Sequence, residues 1–291
     1  MDRALFGDNQ FFGINHMSEE KARVQAMRFQ HDEAIINTLD AALEEGIATF
    51  MCTTHERIAA ICDHWRANPD KYRDYKFFPC MPYAHKYADA LTEYGVVEAI
   101  RRFLPDEGLF NAIVRGGMSL AKKDLEGLAT LLIDAEMKMF QGLQTPVIFL
   151  QNVVTDLLLG AGFKDGLRIF ADHVRARYGA EPGFITMNLV RLLDALDELD
   201  IENPIVCCNI NKAGFRMCGG VAAYEQAIAN RRFRPIAMSV FASGAIPVNE
   251  ALEYVCAQER IESIVFGASS REHIRQTKSL IDSAFRKKRS Q

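Results

Sequence analysis

Several features that would place a chain at once are missing from this sequence. No apolar run approaches the roughly 20 residues that a membrane span requires. The opening MDRALFGDNQ has no basic stretch leading into a long apolar segment, so no secretion signal is read. The seven cysteines, Cys52, Cys62, Cys80, Cys207, Cys208, Cys218 and Cys256, are odd in number and form no CxxC pair. Several sit inside apolar runs, which predicts reduced, buried thiols in a cytoplasmic protein rather than disulfides or a zinc knuckle. An excess of positive charge is missing too: 34 Lys and Arg stand against 38 Asp and Glu, a net charge of −4. That removes the electrostatic ground for nucleic acid as a partner, and the basic tail 285–289 reads as a solvated terminus. No Ser/Pro/Gly linker and no internal repeat divides the chain.

What is present is ordinary globular composition. Hydrophobic residues at 49% and charged residues at 25% exclude a disordered or low-complexity chain. A length of 291 residues admits either two domains of about 150 residues or one (β/α)8 barrel of about 250. Eight short apolar runs decide between them: 4–7, 47–52, 76–81, 147–150, 184–187, 205–209, 236–241 and 264–266. Each suits a strand buried on both faces. The segments between them carry helical spacing, as in Ile58, Ile61, Cys62 and Trp65, or Leu189, Leu192, Leu193 and Leu196. Strand–helix alternation implies parallel βαβ units, and eight units imply closure. The first strand runs into GDNQFFG, which lacks the GxGxxG spacing of a doubly wound dinucleotide-binding sheet. The predicted fold class is therefore α/β, a single (β/α)8 TIM barrel over residues 1–291.

The spacing also predicts additions. More than one helix fits between the third and fourth strands: a crossover helix over 93–103, a loop over 111–118 and a second helix over 120–140. Residues 105–144 are thus expected to form a helical insertion. Another helix is expected within 11–30, with Ser18 as its N-cap. Two capping boxes, Thr53-x-x-Glu56 and Ser269-x-x-Glu272, are expected to open helices.

In such a barrel the loops after the strands form the working face. Asp8, Asn9, Tyr83, Asn152, Asn188, Asn209, Asn211 and Arg216 follow strands in sequence and are expected to bind a small polar substrate. Ser243, Gly267, Ser269, Ser270 and Arg271 follow the last two strands. Small residues, free helix N–H groups and an arginine there suit an anion, a phosphate above all. His16, His55 and Glu56 are candidates for acid–base work. These side chains with His85 could also meet around a divalent ion, but no HxH, HxxxH or ExxH spacing supports a metal, and none is expected. Lys212, just past the sixth strand, is either a Schiff-base nucleophile in a dry mouth or an ordinary surface lysine.

The stretch IESIVFGASSREHI, 261–274, is similar to the end of an aldo-keto reductase barrel, where the eighth strand, a Gly-Ala-Ser turn and the next helix hold the adenosine phosphate of the nicotinamide cofactor. ALEEGIATF, 42–50, resembles that family's approach to its second strand. The order of elements is similar from about Asp32 onward. The resemblance implies NADP or NAD as cofactor and an oxidoreductase. The family's catalytic tetrad is not matched. Met51 stands where the strand-two Asp should be, no Tyr follows near 55–58, no Lys falls near 79–81, and Gln151 replaces the strand-four His. Three readings follow. One is an aldo-keto-reductase-like enzyme that binds NAD(P) or another small anionic ligand. The second is a lyase or aldolase using Lys212, and the third is a non-catalytic metabolite-binding barrel. A homo-oligomer is compatible with each.

Overall fold

The computed structural model describes residues 1–14, 18–83 and 122–289. Eight parallel strands close into one barrel in chain order. They are β1 (Ala4–Gly7), β2 (Thr49–Thr53), β3 (Lys76–Met81), β4 (Val147–Leu150), β5 (Glu181–Thr186), β6 (Ile205–Asn209), β7 (Arg234–Met238) and β8 (Ser263–Phe266). Closure is made by β8 on β1, with Ala4, Leu5 and Phe6 paired to Ile264, Val265 and Phe266.

Ten α-helices lie among the described residues. They are α1 (Glu19–Arg28), α2 (Asp32–Glu44), α3 (Glu56–Ala67), α4 (Lys122–Met137), α5 (Asn152–Gly160), α6 (Asp165–His173), α7 (Leu189–Glu198), α8 (Val221–Asn230), α9 (Val248–Ala257) and α10 (Arg271–Arg289). None of the described helices is long and apolar enough to cross a membrane.

The apolar runs are strands because each must bury two faces. One set of side chains fills the lumen, with Leu5, Met51, Phe78, Cys80, Phe149, Ile185, Cys207 and Ile236 in a single cluster. The alternate set, including Phe6, Phe50, Phe77, Ile148, Phe184 and Val206, packs under the helices. The lumen is a packed core, so any ligand must bind above it, at the strand ends.

Four strands have the bounds expected from sequence, and four are shifted for local reasons. β2 extends to Thr53, because that residue is held in line by Asp8. β5 starts at Glu181, since Pro182 and Gly183 pair with Ile148 and Phe149 instead of ending the strand. β7 ends at Met238, because Ser239 turns left-handed with φ 53°. β8 gains Ser263, whose hydroxyl donates to the Asp2 carbonyl.

Neither expected capping box forms. His55, not Thr53, caps α3, and the Ser270 hydroxyl, not that of Ser269, accepts from the His273 N–H in α10. The helix expected within 11–30 divides into a 3-10 turn (Asn9–Phe12) and α1, whose Ser18 accepts from the Lys21 N–H as expected. The helix expected over 93–103, the loop over 111–118 and residues 105–121 of the expected insertion lie outside the described residues. Over 122–144 the described elements are α4 and a short 3-10 turn (Lys138–Phe140), one crossover helix between β3 and β4, so the described residues do not establish an insertion. α4 packs against β3 and α6.

Candidate functional site

The mouth is built first from β1 and β2. Asp8 follows the last residue of β1 and is 6% exposed. Its Oδ2 accepts from both the Thr53 N–H and the Thr53 hydroxyl, each at 2.7 Å. The backbone N–H of Asp8 itself is a further donor to the carboxylate. The carboxylate lies near enough to Cys52 and Cys80 to push both thiols further up, beyond the effect of their own burial. Cys80 faces the lumen, so Asp8 stands over the barrel. Burial raises the Asp8 pKa more than these three donors lower it.

Beside this pair stands His55. Its Nδ1 accepts from the Arg57 N–H at 3.1 Å and caps α3, which fixes the neutral tautomer with the proton on Nε2. Its ring stacks on Phe12 at 4.1 Å and meets Tyr83 edge-on at 5.4 Å. Burial, the largest cause, holds its pKa down. Nε2 has no hydrogen-bond partner among the described residues.

Tyr83 and Thr54 are positioned by a residue that sequence reasoning missed. Glu136, 2% exposed near the end of α4, accepts from the Thr54 hydroxyl and from the Tyr83 N–H. A second carboxylate, one that follows β4 in sequence, braces the other side. Asp156 on α5 accepts from the Thr186 hydroxyl and the Met187 N–H, and burial raises its pKa. It is the one acidic residue of the otherwise largely apolar helix NVVTDLLLG.

The amides after β6 do structural work. Asn211 donates to the Phe215 carbonyl and accepts from its N–H, and Asn209 donates to the Arg216 carbonyl. These bonds hold Arg216 at φ 55°, with its guanidinium over the Phe215 ring at 5.4 Å. Asn152 and Asn188 are half-buried at the starts of α5 and α7, while Asn9 and Glu56 are exposed. His16 lies outside the described residues. Lys212 is exposed and paired with Glu250 at 2.7 Å. The dry mouth that a Schiff-base lysine needs is not its environment, which corrects the premise of the lyase reading. No group of three or more metal-ligating side chains occurs among the described residues.

The neighbouring ends of β7 and β8 form the last wall. Ser239, Ala242 and Ser243 all have left-handed backbones, with φ of 53°, 45° and 58°. Each costs roughly 1–2 kcal/mol in a non-glycine residue, and such strain concentrates at functional sites. Phe241 at φ −85° precedes Ala242, and the N–H groups of Ala242, Gly244 and Ala245 close tight turns onto the carbonyls of Ser239, Phe241 and Ala242. Next to it Gly267 lies so close to Gln10 that a Cβ there would sit 2.0 Å from Oε1. α10 begins beyond, its first-turn N–H groups only partly capped by Ser270. Arg271 is turned to α2, where it pairs with Glu44. A groove of about 510 Å³ runs there, lined in part by Arg28, Asp40, Glu44, Ser269, Ser270 and Arg271. Arg271 is therefore engaged outside the lumen, in an exposed pair of little strength.

No family model and no curated protein sequence matches the chain. Solved structures do match in fold. A candidate aldo-keto reductase from Pseudomonas aeruginosa superposes with a TM-score of 0.59 at 13% identity, over 97% of this chain and 89% of that one. An aldo-keto reductase from Bacillus halodurans, in its holo form, gives 0.54 at 10%, over 98% and 90%. One from Klebsiella pneumoniae, in complex with NADPH, gives 0.52 at 10%, over 96% and 85%. The fold of this chain is the aldo-keto-reductase-like barrel.

Proposed function

We propose that this chain is an oxidoreductase that uses NADPH or NADH and holds the dinucleotide phosphates between the β7 loop and the start of α10. The observation that carries this is the run of left-handed non-glycine residues at Ser239, Ala242 and Ser243, beside the partly capped start of α10. A dinucleotide phosphate would be held by the first-turn N–H groups of α10, beside the strained loop. Ser243, Gly267, Ser269 and Ser270 fit the phosphates, and Arg271 joins them by leaving Glu44.

When bound, a reduced nicotinamide supplies a hydride. The chain supplies the rest. Tyr83, Asn152 and Asn188 rim the mouth and orient a small polar substrate, with Asn9 and Arg216 at its edge. His55 offers its Nε2–H as a fixed, neutral donor. The matched tetrad positions, Met51 and Gln151 among them, offer no acid, so proton transfer falls to other groups.

The test is fluorescence titration with NADPH and NADH. At least one is expected to bind, Ser243→Gly to preserve binding, and Ser243→Val to weaken it tenfold or more, because a β-branched residue resists the left-handed backbone. Failure of both nucleotides to bind overturns the reading. The alternative of a non-catalytic binding barrel draws on the internal bonds that consume Asn209, Asn211 and Asp156. Its mark is binding without turnover.

A further inference from the structure

We propose that this barrel selects NADH over NADPH, and that Glu44 makes the choice by accepting from the ribose hydroxyls of the adenosine end and rejecting a phosphate there. This rests on the oxidoreductase reading above. The groove of about 510 Å³ shares Ser269 and Ser270 with the place given to the dinucleotide phosphates. Of the two arms that leave those phosphates, the nicotinamide arm has to reach the mouth. The adenosine arm is left to the groove, whose volume suits a small-molecule site. One face of α2 forms a wall of it: Asn37, Ala41 and Glu44 recur at i, i+4 and i+7 and all line the groove.

The charged side chains that line the groove among the described residues are Arg28, Asp40, Glu44 and Arg271. Their commitments differ. Asp40 is occupied, since it accepts from the Lys71 ammonium at 2.7 Å and from the Tyr72 hydroxyl at 2.8 Å. Arg271 is drawn to Glu44, with Glu45 close enough to act on the same guanidinium. A phosphate at Ser269 and Ser270 competes for Arg271, and the exposed pair yields it readily. Glu44 then faces the groove as a carboxylate without its cation.

A carboxylate has only acceptors to offer. The vicinal hydroxyls of a ribose bring two donors, and charge-assisted bonds to Glu44 satisfy them. A 2′-phosphate brings negative charge instead, and meets Glu44 with Glu45 behind it. Arg28 favours the phosphate. Its guanidinium lies over the Phe29 ring at 5.9 Å, at the end of α1. Its single charge cancels that of Glu44, which leaves a phosphate dianion with no net attraction. The same division, acid on a ribose hydroxyl and arginine on a 2′-phosphate, separates the two nucleotides in doubly wound dinucleotide sites.

The test uses the full chain and its Glu44→Gln variant, with fluorescence titration by NADH and NADPH and competition by ADP-ribose and its 2′-phosphorylated form. The Glu44 side chain is 58% exposed at the end of its helix, so the variant keeps the fold, which circular dichroism verifies. The wild type is expected to bind NADH at least about tenfold more tightly than NADPH. ADP-ribose should displace NADH at concentrations where the phosphorylated form does not. Glu44→Gln should tighten NADPH about tenfold and leave NADH within about threefold. A wild type that binds NADPH as tightly as NADH, or a Glu44→Gln protein with an unmoved preference, overturns the assignment. Binding of neither nucleotide overturns the parent reading instead, and is seen before any ratio is taken.

Discussion

Gly183→Ala tests whether the floor of the mouth is packed as described. Gly183 pairs with Phe149 across β4 and β5. A Cβ on it would lie 2.3, 2.5 and 2.8 Å from three carbons of the Phe149 ring. Ordinary carbon contacts are about 3.5–4.0 Å, so the ring must move by more than about 1 Å. It has nowhere to go: Phe149 is fully buried, with the Phe78 ring at 6.0 Å and the rest of the lumen around it. Gly183 does not have a left-handed backbone, so alanine meets no conformational penalty and the cost is steric alone. Overpacking of this kind costs about 1–3 kcal/mol, and the depth of the overlap places it at the upper end. An unfolding entropy of about 2.1 cal/mol/K per residue gives roughly 0.6 kcal/mol/K for this chain, so Tm should fall by about 5 °C. Thermal unfolding followed by circular dichroism measures it. Phe149→Leu supplies the control: Gly183→Ala should cost little in that background. A Tm within about 1 °C of wild type, or an equal penalty with Phe149 absent, refutes the packing argument.

Other outcomes follow from the site. Asp8→Asn should raise stability at pH 7. The folded pKa of Asp8 is raised, so its contribution is complete at acid pH and lost as pH rises through that pKa; the gain should vanish in urea titrations repeated below the ordinary carboxylate range. Gly267→Ala should displace the Gln10 amide from the Gly7 carbonyl at a cost of about 1 kcal/mol, and Gln10→Ala should absorb most of that cost. His55→Ala should lose about 1 kcal/mol with the α3 cap, while His55→Asn keeps the cap and the stability; equal losses in both would refute the capping role. Lys212→Ala should change stability by less than about 1 kcal/mol. Borohydride trapping with acetaldehyde should leave Lys212 no more modified than other exposed lysines, and selective labelling there would restore the Schiff-base reading.

The barrel was legible because its strands bury both faces, and only apolar residues satisfy that demand over four to six positions. Runs such as VIFL and IVCCN have no other use at that length. The site was legible only as a set of strand ends. Linear spacing shows that Asp8, Thr53 and Tyr83 follow strands, but not which bonds they make. Thr53 reads as a cap because Glu56 stands three residues on, yet Asp8 claims both its donors first. Glu136 was invisible because one carboxylate on a long amphipathic helix is usually solvated, and only the fold brings it to Thr54 and Tyr83. Lys212 and Arg271 show the converse limit: each follows a strand, yet a glutamate on a neighbouring helix draws its long side chain outward.

A parallel barrel lets a polar group be carried on any of several strands. Its strand ends lie side by side in one ring, about 4.8 Å apart. A group lost from one strand can therefore be supplied by the next without moving the reacting centre by more than a side-chain length. The Asp8–Thr53 pair shows how far such a reach extends in this chain: a carboxyl that follows β1 accepts from the N–H and the hydroxyl at the end of β2, each at 2.7 Å. The strand that carries a group in the sequence is therefore a poor guide to the strand whose end that group serves, and the mouth has to be read as a ring rather than strand by strand.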